Sequence, residues 1–138
     1  FDTVDPANVS KLMHRDPLED APDERTVLLQ EAIGDSQVPN LTTRALARAM
    51  DVDLLTPAVD TPYGLPTTET PTTESALVQY HVPSQTEGAM PPETNVPPEE
   101  NNGVHSDILF LDHLQQQIAH FVDTGEIKQY CEGPCDPE

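Results

Sequence analysis

The side chains that could do chemistry here are few and unevenly placed. There are five histidines (His14, His81, His105, His113, His120), two cysteines, five serines (Ser10, Ser36, Ser75, Ser84, Ser106) and 25 Asp plus Glu. Hydroxyl, imidazole and carboxylate are together the parts of acyl transfer. The imidazole takes the proton of a weak hydroxyl nucleophile, and the carboxylate orients the imidazole. No serine lies in Gly-x-Ser-x-Gly, the strained strand-to-helix turn that exposes such a nucleophile. Asp35 follows Gly34 in ordinary turn chemistry. His113 and His120 are seven apart with Asp112 and Asp123 nearby, which lacks the i, i+4 histidine pair of a helical zinc motif. Glu87, Glu93, Glu99 and Glu100 lack the alternating acids and central glycine of an EF-hand, and read as a solvated acidic loop. Cys131 and Cys135 enclose Glu132-Gly133-Pro134 and have no further Cys or adjacent His to complete a zinc site. They are expected to form a local disulfide, which points to an oxidising compartment: secreted, periplasmic or cell-surface. The alternative is two free thiols on a frayed tail.

The whole chain limits what these groups could serve. It has 138 residues, about one domain. Lys plus Arg is 6, so the net charge is −19, and phosphate backbones and anionic membranes would be repelled. Hydrophobic content is 36%, with 15 prolines and no Trp. No run approaches the ~18 apolar residues of a membrane span. The chain opens Phe1-Asp2-Thr3, read as a processed precursor or a piece of something larger.

Residues 1–25 form a helix-and-loop lead-in, with a helix from about Ala7 to His14 capped by Asp5. Residues 26–130 carry the main body. Thr26 to Ile33 begins as a continuous aliphatic run, suited to a strand covered on both faces. The spacing predicts a helix over 41–50, capped by Asn40, with Leu41, Ala45, Leu46, Ala49 and Met50 on its apolar face. Residues 56–75 are Pro/Thr-rich and read as an insertion outside the core. Ala76 to Val82 reads as a second strand, and 83–104 as an acidic, proline-broken insertion. Tyr63 to Pro66 and Met90 to Pro92 are candidate lid residues in these loops. A long helix is predicted over 108–124, capped by Ser106 or Asp107. Leu111, Leu114, Ile118, Phe121 and Val122 form its stripe and Gly125 stops it. Residues 131–138 are the cysteine-bearing tail.

The order strand, Asp-bearing turn, helix, insertion, strand, His-bearing loop, helix resembles the C-terminal part of an α/β-hydrolase of the bacterial secreted esterase or lipase kind. In that fold the triad runs Ser, acid, His along the chain. Gly34-Asp35-Ser36-Gln37-Val38-Pro39 resembles the family's Gly-x-x-Asp-x-x-Val-Pro turn, shortened by two residues. Asn102-Gly103-Val104-His105 stands where the family's histidine stands. The resemblance covers roughly residues 15–125. It implies an α/β fold completed by another chain or upstream segment, with Asp35 as triad acid and His105 as triad base. The nucleophile and oxyanion hole would lie on that other part. The two interior-type strands would then meet it across an extensive apolar interface. The expected reaction is carboxylic ester hydrolysis with no cofactor. The competing readings are a peptidase or amidase on the same fold, a non-catalytic acidic secreted interaction module, and a largely disordered acidic chain.

Overall fold

The computed structural model describes residues 6–14, 18–20, 25–82 and 99–136. The expected cap Asp5, the acids Glu87 and Glu93, and Met90 to Pro92 lie outside these residues. The elements are α1 (Pro6–His14), β1 (Leu28–Ile33), α2 (Asn40–Met50), β2 (Asp53–Thr56), β3 (Thr67–Glu69), β4 (Ala76–His81), α3 (Val104–Asp107), a 3₁₀ turn (Ile108–Phe110) and α4 (Asp112–Thr124). The chain is an α/β unit around a four-stranded, wholly parallel sheet in the order β1-β4-β2-β3. Among the described residues no helix is long and apolar enough to cross a membrane.

The continuous apolar runs are explained by burial on both faces. Leu28 and Ala32 of β1 and Ala76, Val78 and Tyr80 of β4 pack against Val104, Ile108 and Leu114. The alternate residues Leu29 and Leu77 pack with Leu54, Ala47 and Met50 on the opposite face. Thus α2 covers one face, while α3, the 3₁₀ turn and α4 cover the other.

Each face also carries a buried polar peg. On the α2 side the Glu31 carboxylate is 2.9 Å from Arg44 Nε and accepts from Gln79 Nε2, also at 2.9 Å. Arg44 Nη1 is 2.9 Å from Asp60 Oδ2, so α2 and the loop after β2 are tied to the sheet. On the other side Tyr80 Oη and Gln30 Nε2 both donate to Gln117 Oε1 at 2.9 Å. Burial raises the Tyr80 hydroxyl well above its usual range.

Burial likewise pushes the Glu31 carboxyl up, opposed by the Arg44 charge and by hydrogen bonds from Arg44 and Gln79. A carboxyl whose folded value is raised contributes most below its unfolded value, and that contribution is lost as pH rises through the folded value. Arg44→Ala leaves this buried charge without its cation. It is expected to cost about 3 kcal/mol at pH 7. The loss should shrink as pH is lowered towards the carboxylate range, where Glu31 takes a proton. Urea unfolding midpoints across that range check this.

Several expectations are corrected. Among the described residues the sheet has four strands rather than two, because β2 and β3 lie within or against the 56–75 stretch read as an insertion outside the core. Leu54 and Leu55 of β2 are fully buried. Four- and three-residue strands show no period, and they exist here through pairing with β4 and each other. Among the described residues there are four α-helices rather than two or three. The predicted helix over 108–124 is interrupted at Leu111, whose extended backbone (ψ 120°) separates the 3₁₀ turn from α4. Ser106 and Asp107 lie inside α3 and cap neither helix; Gly103 and Leu111 occupy the cap positions. On α4, Leu114 and Gln117 are buried, whereas Ile118 and Val122 are exposed. On α2, Met50 is buried as expected, but Leu41 and Ala45 face solvent and Ala47, off the expected face, is buried.

Cys131 and Cys135 are joined by a disulfide, with Cα atoms 5.3 Å apart. The tail lies beside the outer half of β4, where His81 N–H donates to the Cys135 carbonyl at 2.8 Å. It takes the place left by β2, which pairs with β4 only through Asp53 and Leu54.

Candidate functional site

β1 runs into α2 on one face of the sheet, and its neighbour β4 is followed in the chain by α3 and α4 on the other. Two adjacent parallel strands whose onward connections go to opposite faces leave a crevice beyond their carboxyl ends. That crevice is where open α/β sheets place ligands. Asp35 and His105 meet there although 70 residues apart in sequence.

Gly34 reverses the chain directly after β1 with φ 79°, which a Cβ would disfavour. Asp35 then folds back under the turn it begins. Its Oδ1 accepts the backbone N–H of Gln37 (2.7 Å) and of Val38 (3.0 Å). Its Oδ2 lies 2.8 Å from His105 Nδ1. The Asp35 side chain is 7% exposed and that of His105 43%. One oxygen therefore holds the turn and the other holds the imidazole.

A carboxylate only accepts, so the proton of neutral His105 lies on Nδ1 and Nε2 is left as an acceptor. This is the tautomer required of a general base towards a hydroxyl. The pair opens into a cavity of about 180 Å³ lined by Val38, Asn40, Thr43, Ile108 and Leu109, among others. Of its lining residues, Val38 and Leu109 are exposed apolar side chains.

Two buried asparagines position the pair. Asn102 Nδ2 donates to the Gly34 carbonyl at 2.7 Å, and its Oδ1 accepts Val104 N–H (3.3 Å) and Ser36 Oγ–H (3.2 Å). The His-bearing segment is thereby clipped to the Asp-bearing turn. Gly103, with φ 80°, then starts α3 so that His105 falls one residue into it. Asn40 is not the N-cap expected of it: Pro39 holds that position. The Asn40 side chain instead accepts Gly34 N–H at 2.9 Å and donates to the Ala32 carbonyl at 2.7 Å, closing the end of β1. Both partners are remote backbone groups, so helix-start reasoning missed the role of Asn40. Asn102 stood in a quoted motif, but its reach back to Gly34 had no local signal.

The other candidate groups are engaged elsewhere. His81 pairs with Asp136, and His120 Nε2 is 2.9 Å from Glu126. His113 is exposed on α4. Ser75 Oγ is 2.7 Å from His14 Nε2, and His14 Nδ1 is 3.0 Å from the Met50 carbonyl. That trio resembles a nucleophile, base and orienter. However, it lies at the amino end of β4, and Ser75 Oγ also accepts Val27 N–H at 2.9 Å. Ser75 is buried, and the contacts tie α1 to the sheet and to the end of α2. A larger cavity of about 860 Å³ lies between His81, Leu111 and the disulfide loop, and neither Asp35 nor His105 lines it. Among the described residues no group of three or more His, Cys, Asp and Glu is placed to hold a metal ion.

No protein-family model, curated protein or solved structure matches this chain.

Proposed function

We propose that this chain is the C-terminal, acid- and base-bearing segment of a secreted serine hydrolase that cleaves carboxylic esters. The observation that carries the reading is the 2.8 Å contact between Asp35 Oδ2 and His105 Nδ1, with the imidazole half open to solvent. The crevice between β1 and β4 and the asparagine clips support it. The Cys131–Cys135 disulfide supports a secreted, periplasmic or surface location.

The nucleophilic serine and the oxyanion hole belong to an upstream segment or a separate chain of the same precursor. As the serine Oγ attacks the ester carbonyl, its proton passes to His105 Nε2 and the carbonyl π pair moves onto oxygen. Collapse of the tetrahedral adduct breaks the bond to the alkoxy group, which leaves with the His105 proton as an alcohol. Water then attacks the acyl-serine, giving its proton to the same nitrogen. The carboxylic acid departs, and His105 returns the proton to serine. Asp35 stays ionised throughout and stabilises the imidazolium. The acid–base pair alone would serve amide hydrolysis equally; the apolar lining residues Val38, Ile108 and Leu109 favour an ester with an apolar acyl part.

A fluorescent fluorophosphonate applied to the native preparation, followed by a denaturing gel, tests the reading. Label is expected on a co-purifying, larger polypeptide. A folded chain standing alone with no labelled serine would overturn it.

A further inference from the structure

β1 flanks β4 on one side, and the disulfide-bearing tail flanks the outer half of β4 on the other. The cavity of about 860 Å³ opens on the tail side, between that tail, Val59 in the loop after β2, and Leu111. Ile108 and Leu109 of the 3₁₀ turn line the smaller cavity beside Asp35 and His105, whereas Leu111 just beyond the turn lines the larger one. The two cavities share none of their lining residues.

Each wall of the larger cavity is held by the fold. The disulfide closes the Glu132–Pro134 loop, and Gln129 Nε2 donates to the Gly133 carbonyl. His81 N–H donates to the Cys135 carbonyl, and Asp136 N–H donates to the Pro134 carbonyl at 2.7 Å. The Asp136 carboxylate takes His81 Nδ1. Asp60 N–H donates to Gln79 Oε1 at 2.9 Å, which fixes the residue next to Val59. Leu111 N–H donates to the Ile108 carbonyl at 3.2 Å. A pre-formed cavity of this size is in the range of small-ligand sites, and a ligand would have little of it to order.

The lining is divided in kind. Val59, Leu111 and Pro134 supply apolar surface beside the disulfide. Glu132 and Asp136 supply carboxylates, and His81 and His113 supply imidazoles. Among the described residues no Lys or Arg lines the cavity. A carboxylate only accepts, so a neutral His81 keeps its proton on Nδ1 towards Asp136 and offers Nε2 as a further acceptor. An anionic headgroup would meet two carboxylates on a chain of net charge −19, whereas a cation would be drawn in.

We propose that this cavity binds a primary ammonium carried on an apolar body the size of an aromatic ring system. The three N–H donors of the ammonium match the acceptors of Glu132, Asp136 and His81 Nε2, and the body lies against Val59, Leu111 and Pro134. The site stands apart from the function proposed above, since neither Asp35 nor His105 lines it.

The test is equilibrium dialysis of the native preparation against three probes that share one ring system: tryptamine, its neutral alcohol tryptophol, and the anion indoleacetate. Tryptamine is expected to bind about tenfold tighter than tryptophol, and indoleacetate weakest of the three. Equal binding of all three, a preference for indoleacetate, or no binding of tryptamine would overturn the proposal. Glu132 is exposed, so Glu132→Lys is expected to fold normally. It should weaken tryptamine about tenfold and leave tryptophol unchanged. Val59→Trp fills the cavity and is expected to abolish binding of both, with ester hydrolysis unchanged. If Val59→Trp does not fold, Glu132→Lys decides. Tryptamine bound by Glu132→Lys as tightly as by the wild type would place the ammonium elsewhere and contradict the proposal.

Discussion

His105→Ala is expected to lower kcat of the assembled hydrolase by about 10⁵-fold, with KM, assembly and thermal stability little changed. The His105 side chain is 43% exposed and its Nδ1 is held by Asp35 Oδ2, so alanine is expected to leave the surrounding packing in place. What would be lost is the step proposed for this chain, the movement of a proton between nucleophile and leaving group. Steady-state kinetics on a chromogenic ester, with size-exclusion chromatography as the assembly control, measure it. A variant retaining even a tenth of wild-type turnover would show that the proton goes elsewhere.

Asp35→Asn is expected to cost about 10⁴-fold in kcat with the fold intact. The Asn side-chain oxygen can still accept Gln37 and Val38 N–H, so the turn persists. The amide nitrogen then faces His105 Nδ1 where an acceptor stood. It donates to that nitrogen and drives the imidazole proton to Nε2, where it points at the nucleophile and cannot receive a proton. Asp35→Ala, by contrast, also removes the two turn acceptors and is expected to lower stability as well. The comparison of kcat with the melting temperature for the two variants separates orientation of the base from support of the turn.

The parts of this arrangement readable from the sequence were those with a local signature. β1 and β4 each open on aliphatic residues (Leu28-Leu29 after Val27, and Ala76-Leu77-Val78), α2 is a periodic segment after a turn, and Gly34-Asp35 and Gly103-Val104-His105 carry glycines where the backbone needs positive φ. The illegible parts depend on partners distant in the chain. β2 and β3 are strands because β4 and each other pair with them, not because of their composition. Gln117 looks like a solvent residue on a helix and is fully buried, since Gln30, Tyr80 and the Lys128 carbonyl surround it. Asn40 reads as a cap and Asn102 as a loop residue before His105, yet their amides reach backbone across the site. The stripe predicted on α4 fails for a related reason. Ile118 and Val122 have the spacing of core residues but lie exposed in this chain. That fits a segment whose apolar surface is shared with another part.

The most direct test of the central claim is a crystal structure of the assembly after reaction with a fluorophosphonate. The account predicts a phosphorylated serine on the partner polypeptide, with its Oγ within about 3.2 Å of His105 Nε2 and His105 still bonded to Asp35. A modified serine served by a different imidazole, with His105 facing solvent, would contradict it.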